Sequence, residues 1–161
     1  MRQLTILLMA VLMCSLSAWS QTPTPAIVGI AVSQSNDFTH AKKMLVNDGY
    51  VYNQKSSTPS CAVYEYSGAR YADEAVIVKI YKLGKTNKVE KCVILVGQKY
   101  IQRFSRDLSQ YGYTYTNPMG MSIEPFQELY ENGKYAVGER INKQGWFEAT
   151  FFQWGQDVKF E

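Results

Sequence analysis

Few side chains in this sequence are suited to bond-making chemistry, and their spacing limits what they can do. His40 is the single histidine, and the cysteines are Cys14, Cys61 and Cys92. A nucleophilic cysteine or serine needs a base within hydrogen-bond reach and a third group to orient that base. No cysteine here stands at motif spacing from the histidine or from an acid. A zinc site asks for three or four ligands, which Cys61, Cys92 and His40 do not supply at ligand spacing. Cys61 and Cys92 fall in strand-like runs, where they are either a disulfide pair of an oxidising compartment or two buried thiols on neighbouring strands. The acidic pairs Asp73-Glu74 and Glu124 with Glu128 read as solvated loop charges, and no glycine-rich phosphate loop follows a strand. The expectation is a protein that is not an enzyme, with no catalytic residue, no metal and no cofactor. A secreted glycan-binding protein or small hydrolase would instead need convergent carboxylates in a cleft, such as Glu148 facing Glu65 or Asp73.

Aromatic residues are the more abundant resource, with 12 Tyr, 7 Phe and 3 Trp in 161 residues. Along Trp146–Phe152 the alternate residues Phe147, Ala149 and Phe151 are wholly apolar and belong to a core. Trp146, Glu148, Thr150 and Phe152 mix polar and aromatic character and belong to the opposite face. The same rule turns Val76, Val78 and Ile80 inward and leaves Ile77, Lys79 and Tyr81 outside. Tyr and Trp offer large, rigid contact area with a polar tip, so they dominate protein interfaces. The candidate binding surface is therefore Trp146, Glu148, Thr150, Phe152 and Trp154 with Ile77, Lys79 and Tyr81, and its partner an unidentified protein. A formal net charge of +3 makes no case for nucleic acid. Lys85, Lys88, Lys91, Lys99, Arg103 and Arg106 form a modest basic neighbourhood, read as a solvated helix face and hairpin tip or as a patch that steers an acidic partner.

The elements that must position these residues are legible in outline. Arg2, the apolar run Leu4–Leu16 and Ala18-Trp19-Ser20 make the tripartite pattern of a signal peptide over residues 1–20, cut before Gln21. Residues 21–26 then read as a flexible leader. The expectation is a secreted or periplasmic protein with no membrane insertion after cleavage. Phe38, Ala41, Leu45, Gly49, Tyr50 and Tyr52 recur as Ile101, Phe104, Leu108, Gly112, Tyr113 and Tyr115 at a constant offset of 63 residues. Positions 38, 41 and 45 share one face of a helix, Asn36 or Asp37 can cap it, and Gly49 can end it. Strands are expected at Ile27–Val32, Ala75–Tyr81, Val89–Val96, Tyr135–Ile141, Trp146–Phe152 and Asp157–Phe160. Turn-rich or glycine-bearing loops at 84–87, 142–145 and 153–156 join the adjacent strands in hairpins. The fold class expected is α+β. Residues 27–161 form one domain of two helix-plus-antiparallel-meander repeats, about 27–88 and 89–161, with the helices packed on one face of the sheet and the other face open. A strand edge at Asp157–Phe160 would suit an envelope assembly component that self-associates.

The pattern Phe38-x2-Ala41-x3-Leu45-x3-Gly49-Tyr50 and its copy Ile101-x2-Phe104-x3-Leu108-x3-Gly112-Tyr113, behind a signal peptide, resembles the tandem architecture of β-lactamase-inhibitory and related PepSY-like secreted modules. That resemblance implies a protein-binding, inhibitor-like role played by the aromatic open face of a joined sheet. The chain departs from the inhibitory type in lacking a cysteine pair in each repeat.

Overall fold

The computed structural model describes residues 23–35, 37–58, 61–68, 75–116, 124–155 and 158. Two helices come first, α1 (Pro25–Gln34) and α2 (Phe38–Asn47), followed by β1 (Tyr50–Ser57), β2 (Cys61–Gly68), β3 (Val76–Leu83) and β4 (Val89–Val96). A short 3₁₀ turn at Gln98–Tyr100 leads into α3 (Ile101–Gln110), then β5 (Thr114–Tyr115), β6 (Glu128–Asn132), β7 (Tyr135–Ile141) and β8 (Phe147–Gln153). The class is α+β, and the eight strands among the described residues belong to one antiparallel sheet ordered β1-β2-β3-β4-β8-β7-β6-β5. The chain thus runs inward through four strands, restarts with α3, and reaches the middle again from the far edge. Asp157–Phe160 lies outside the described residues apart from Val158, which is in no strand.

Local chemistry explains α2 and α3. Asp37 caps α2 by accepting the His40 backbone N–H at 2.8 Å, which satisfies one of the orphan donors of the first turn. That same bond holds the Asp37 carboxyl below its ordinary pKa. Phe38, Ala41 and Leu45 are the buried residues of α2, while Phe104 and Leu108 with Asp107 are those of α3. Gly49 and Gly112 follow the helices at φ +83° and +80°, a left-handed conformation that costs glycine nothing.

The run Ile27–Val32 is helical rather than a strand. An apolar run of this length has no polar periodicity to separate a strand from a helix. The deciding residues are Thr24 and Pro25. Pro25 occupies the first helical positions, and the Val28 N–H donates to the Thr24 carbonyl at 3.0 Å. Pro25, Ala26, Val28, Gly29, Ile30 and Val32 are all buried. The helix begins inside the stretch expected to be a leader and contacts β4, β8, α2 and α3. Among the described residues no helix is long and apolar enough to cross a membrane.

One core cluster unites all three helices with the sheet. Ala26, Phe38, Leu45, Phe104 and Leu108 pack with Val76, Val78, Ile80, Cys92, Ile94, Val96, Val137, Ala149 and Phe151. The inward set expected on β3 and β8 is therefore the inner set observed. Tyr66 joins the same cluster, with Tyr64 packed against it.

Gly29 is what lets α1 lie this close. A Cβ at that position would fall within the ring of Phe151, which is fully buried and has nowhere to move. Gly29→Ala should gain ~1 kcal/mol of helix propensity yet lose ~1–3 kcal/mol to overpacking. A net loss of stability in urea unfolding is expected, with part of it recovered in the Gly29→Ala, Phe151→Leu double variant. Net stabilisation of the single variant would contradict this packing.

Candidate functional site

The residues that alternate with the core form the outer side of the sheet, and strand register arranges them in rows. One row runs Ser67, Ile77, Leu95, Glu148, Arg140 across β2, β3, β4, β8 and β7. The next runs Glu65, Lys79, Val93, Thr150, Gly138, and a third Val63, Tyr81, Lys91, Phe152, Ala136. The antiparallel pairing of β4 with β8 therefore sets Lys79 and Thr150 in one row, with Glu148 and Tyr81 in the rows on either side of it, although they come from distant parts of the chain.

These four line a cavity of about 140 Å³, together with Lys91, Val93, Arg140, Pro125 and Phe126. Arg140 donates from Nε (2.8 Å) and Nη2 (2.7 Å) to one oxygen of Glu148. Lys79 Nζ stands 3.7 Å from Glu65 at the rim. Lys91 is only 6% exposed, and its ammonium lies 4.4 Å from the Tyr81 ring centroid, within the range of a cation–π contact. Thr150, 4% exposed, completes the floor.

The outer side is not the open face expected from the alternation. Thr150 and Phe152 are buried, as are Val63, Val93 and Leu95. Phe126, from the segment before β6, supplies the cover over β7 and β8. Its ring occupies the place of a side chain on Gly138 and stacks on Phe152 at 5.8 Å and 14°. A small apolar cluster results, of Phe126, Leu129, Ala136 and Phe152 with Val158 against it.

The remaining expected residues lie around this cavity without lining it. Ile77 shares the row of Glu148, beside Leu95. Trp154, in the turn after β8, meets Phe152 edge-on at 5.1 Å and donates its indole N–H to Glu131 at 2.6 Å. Trp146 is half-buried in the β7–β8 turn, where its backbone N–H donates to the Asn142 side chain at 3.0 Å. Lys91 was expected only in the solvated basic neighbourhood and is instead buried, and Arg140 and Phe126 were not expected at all. The alternation rule applied to β4 and β7 would have found the first two.

Convergent carboxylates occur elsewhere than expected. Glu148 is engaged by Arg140 and Glu65 by Lys79, while Asp73 lies outside the described residues. Glu128 and Glu139 are instead direct cross-strand partners on β6 and β7 and line a second cavity of about 90 Å³ with Ile101, Gln127 and Phe147. Glu139 is 2% exposed, and its Oε1 has no hydrogen-bond partner. Burial, reinforced by the Glu128 charge, pushes its pKa up to about 8. Tyr130 donates its hydroxyl to Glu128 at 3.2 Å, and burial raises the phenol to about 12.

Cys61 and Cys92 are buried thiols with no disulfide between them. Register turns them to opposite sides, since Cys61 pairs with Leu83 and Cys92 with the inner Ile80. Cys61 donates its thiol proton to the buried Glu90 carboxylate, and burial pushes the Cys92 thiol far up. His40 is exposed on α2. Among the described residues no group of three or more His, Cys, Asp or Glu could hold a metal ion. No protein-family model, curated protein or solved structure matches the chain.

The environment of Glu139 carries a sign that can be measured. Its folded pKa lies above the ordinary 4.5, so the native state holds the proton more tightly than the unfolded chain does. That stabilisation is fully present below about 4.5 and is lost as pH rises through about 8, with a slope of at most ~1.4 kcal/mol per pH unit. Glu139→Gln should flatten the decline in urea unfolding between these limits and be more stable than the parent at neutral pH. An unchanged decline would place the titration on another group.

Proposed function

We propose that this chain is an exported, non-enzymatic protein-binding module, inhibitor-like in its use of a sheet face. In this reading residues 1–20 direct it to the periplasm or the exterior. Residues 27–161 are two helix-plus-meander repeats whose helices pack on one side of a shared sheet. The order of elements supports the repeat, since α2 and α3 each precede four strands that enter one sheet from opposite edges. The observation that carries the binding role is the outer cavity, where Lys79 and Tyr81 from one half meet Glu148 and Thr150 from the other. Ile77 extends the surface along β3, and Trp146 and Trp154 flank β8. Phe152 acts as a support, through Phe126, rather than as a contact.

Capture from the exported proteome of the source, with the full chain processed by its own export machinery, tests this reading. One stoichiometric protein partner is expected. Its affinity should fall by roughly 30-fold or more with Tyr81→Ala, the loss typical of an aromatic hot spot. Capture of no protein, or of one held equally well by the variant, would overturn it.

A second reading, a small hydrolase, rests on the cross-strand pair of Glu128 and Glu139, in which burial raises the Glu139 carboxyl to about 8, the range of a general acid. Turnover of chromogenic glycosides that is abolished by Glu139→Gln would put this reading first; absence of turnover leaves Glu139 as a buried structural acid.

A further inference from the structure

We propose that the cavity between α3 and the β6–β7 pair binds a primary ammonium on an apolar stem, a lysine side chain or a free alkylamine, with Glu139 and Glu128 as its acceptors. The site is on the helix side of the sheet, because Glu139 pairs with the inner Ala149. It goes beyond the partner surface assigned to the outer side and stands or falls without it.

An orphaned acceptor is the first argument. Glu139 is 2% exposed and lines the cavity, and its Oε1 meets no donor. A buried oxygen in that state forfeits the hydrogen bonds it had in water. Glu128 stands directly across from it on β6 and lines the same cavity. One oxygen of Glu128 accepts the Tyr130 hydroxyl at 3.2 Å, and Tyr130 is also hydrogen-bonded to Ser105 of α3. Among the described residues no basic side chain is paired with Glu128 or Glu139. Arg140, which borders the cavity, carries its guanidinium to Glu148 on the outer side. Two acids set against each other on adjacent strands repel unless one keeps a proton or a cation enters between them.

Donor count and lining narrow the cation. Among the described residues no three acidic, histidine or cysteine side chains converge to hold a metal, whereas calcium asks for roughly six to eight oxygens. A guanidinium asks for the paired oxygens of one carboxylate. An ammonium is a compact charge whose three donors can be shared by one acid from each strand. Ile101 of α3, Ile141 of β7 and Phe147 of β8 supply apolar wall for a methylene stem. Gln127 is fixed beside them by accepting the Ile141 backbone N–H at 2.9 Å. A space of about 90 Å³ is the share of roughly three waters and holds a short alkyl chain.

The exchange of charge has a sign. Burial, reinforced by Glu128, keeps the proton on Glu139 up to about pH 8. The titratable groups facing it from β6 are Glu128 and the Tyr130 phenol, itself raised to about 12 and so uncharged. Ile101 of α3 and Phe147 of β8 do not titrate. Entry of the ammonium breaks the Glu139 O–H bond, sends that proton to solvent and puts N–H donors in its place. Binding therefore tightens as pH rises toward about 8.

Carbon-detected NMR of the full chain, labelled at the glutamate carboxyl carbons, tests the proposal. The probes are n-butylamine, acetyl-lysine-methylamide and n-butanol, which keeps the stem without the charge. Acetyl-arginine-methylamide and calcium chloride serve as the other cation arms. Saturable shifts of the Glu139 and Glu128 carboxyl carbons are expected with n-butylamine, at least ~10-fold weaker with n-butanol. The affinity should rise close to ~10-fold per pH unit on the acid side of the Glu139 midpoint, and that midpoint should fall when n-butylamine is bound. Glu139→Gln, equal in shape, should abolish the response, and the exposed Glu128→Gln should weaken it several-fold. A lysine probe as tight as n-butylamine supports a side chain as the natural source; a lysine probe ~10-fold weaker supports a free amine. An equal response to n-butanol, no response to either amine, or tighter binding of calcium or the arginine probe would overturn the proposal. So would a Glu139→Gln variant that binds n-butylamine unchanged.

Discussion

The pairing of β4 with β8 is the constraint on which the rest of the structure depends. Every residue of β4 is buried, because the strand has a hydrogen-bonded neighbour on each edge and side chains packed against both of its faces. Cys92, Ile94 and Val96 look into the helices' core while Lys91, Val93 and Leu95 form the centre of the outer rows. The six residue pairs that join β4 to β8 fix which outer residue faces which. A slip of one residue would invert both faces at once, placing Lys91 against the helices and Cys92 in the cavity. No smaller adjustment would move the site without also breaking the core.

A bulge makes that alternation tolerable. Between Tyr81 and Lys82 the register of β3 against β4 shifts, so that Lys82 pairs with Val89 and Glu90 is the extra residue. Strict alternation from Cys92 would have turned Glu90 toward the helices and Val89 away from them. With the bulge, Val89 joins the core cluster and Glu90 finds Cys61 on the outer side. One inserted residue therefore keeps a carboxylate out of an apolar interior, where its desolvation would be severe. Glu139 shows the alternative, a core-side carboxylate that stays there by holding its proton.

What could be read from the amino-acid order alone divides along physical lines. Positions 38, 41, 45 and 104, 108 obey a helical period with a glycine stop, and each is buried in a helix that ends at that glycine. The hairpin around Gly84 and the strands on either side of residues 142–145 were equally legible, because turn chemistry and β-branched runs coincide. Pro25–Gln34 was not, since the half-exposed stripe of this helix carries the apolar Ile27 and Ala31 and so leaves no polar period until Ser33 and Gln34. Lys79, Tyr81, Glu148 and Thr150 were placed on the correct side by alternation, and the sheet joined them. Their cover was invisible, because Phe126 meets Gly138 and Phe152 only through the tertiary path of the segment before β6. The pKa of Glu139 belongs to the same class, as it arises from burial and a cross-strand charge rather than from any local motif.

The position of α1 has a kinetic consequence. This helix is the earliest described element in the chain, yet its contacts are with β3, β4, β8, α2 and α3, and β8 is the last described strand. Its apolar surface has no complete seat until β8 is present. Loop-closure entropy must be met before those distant contacts return any free energy, which slows folding in chains of this topology. On the ribosome the nascent chain cannot bury Phe151 under Gly29 until β8 has been synthesised, so the seat of its first described helix is completed by one of its latest described strands.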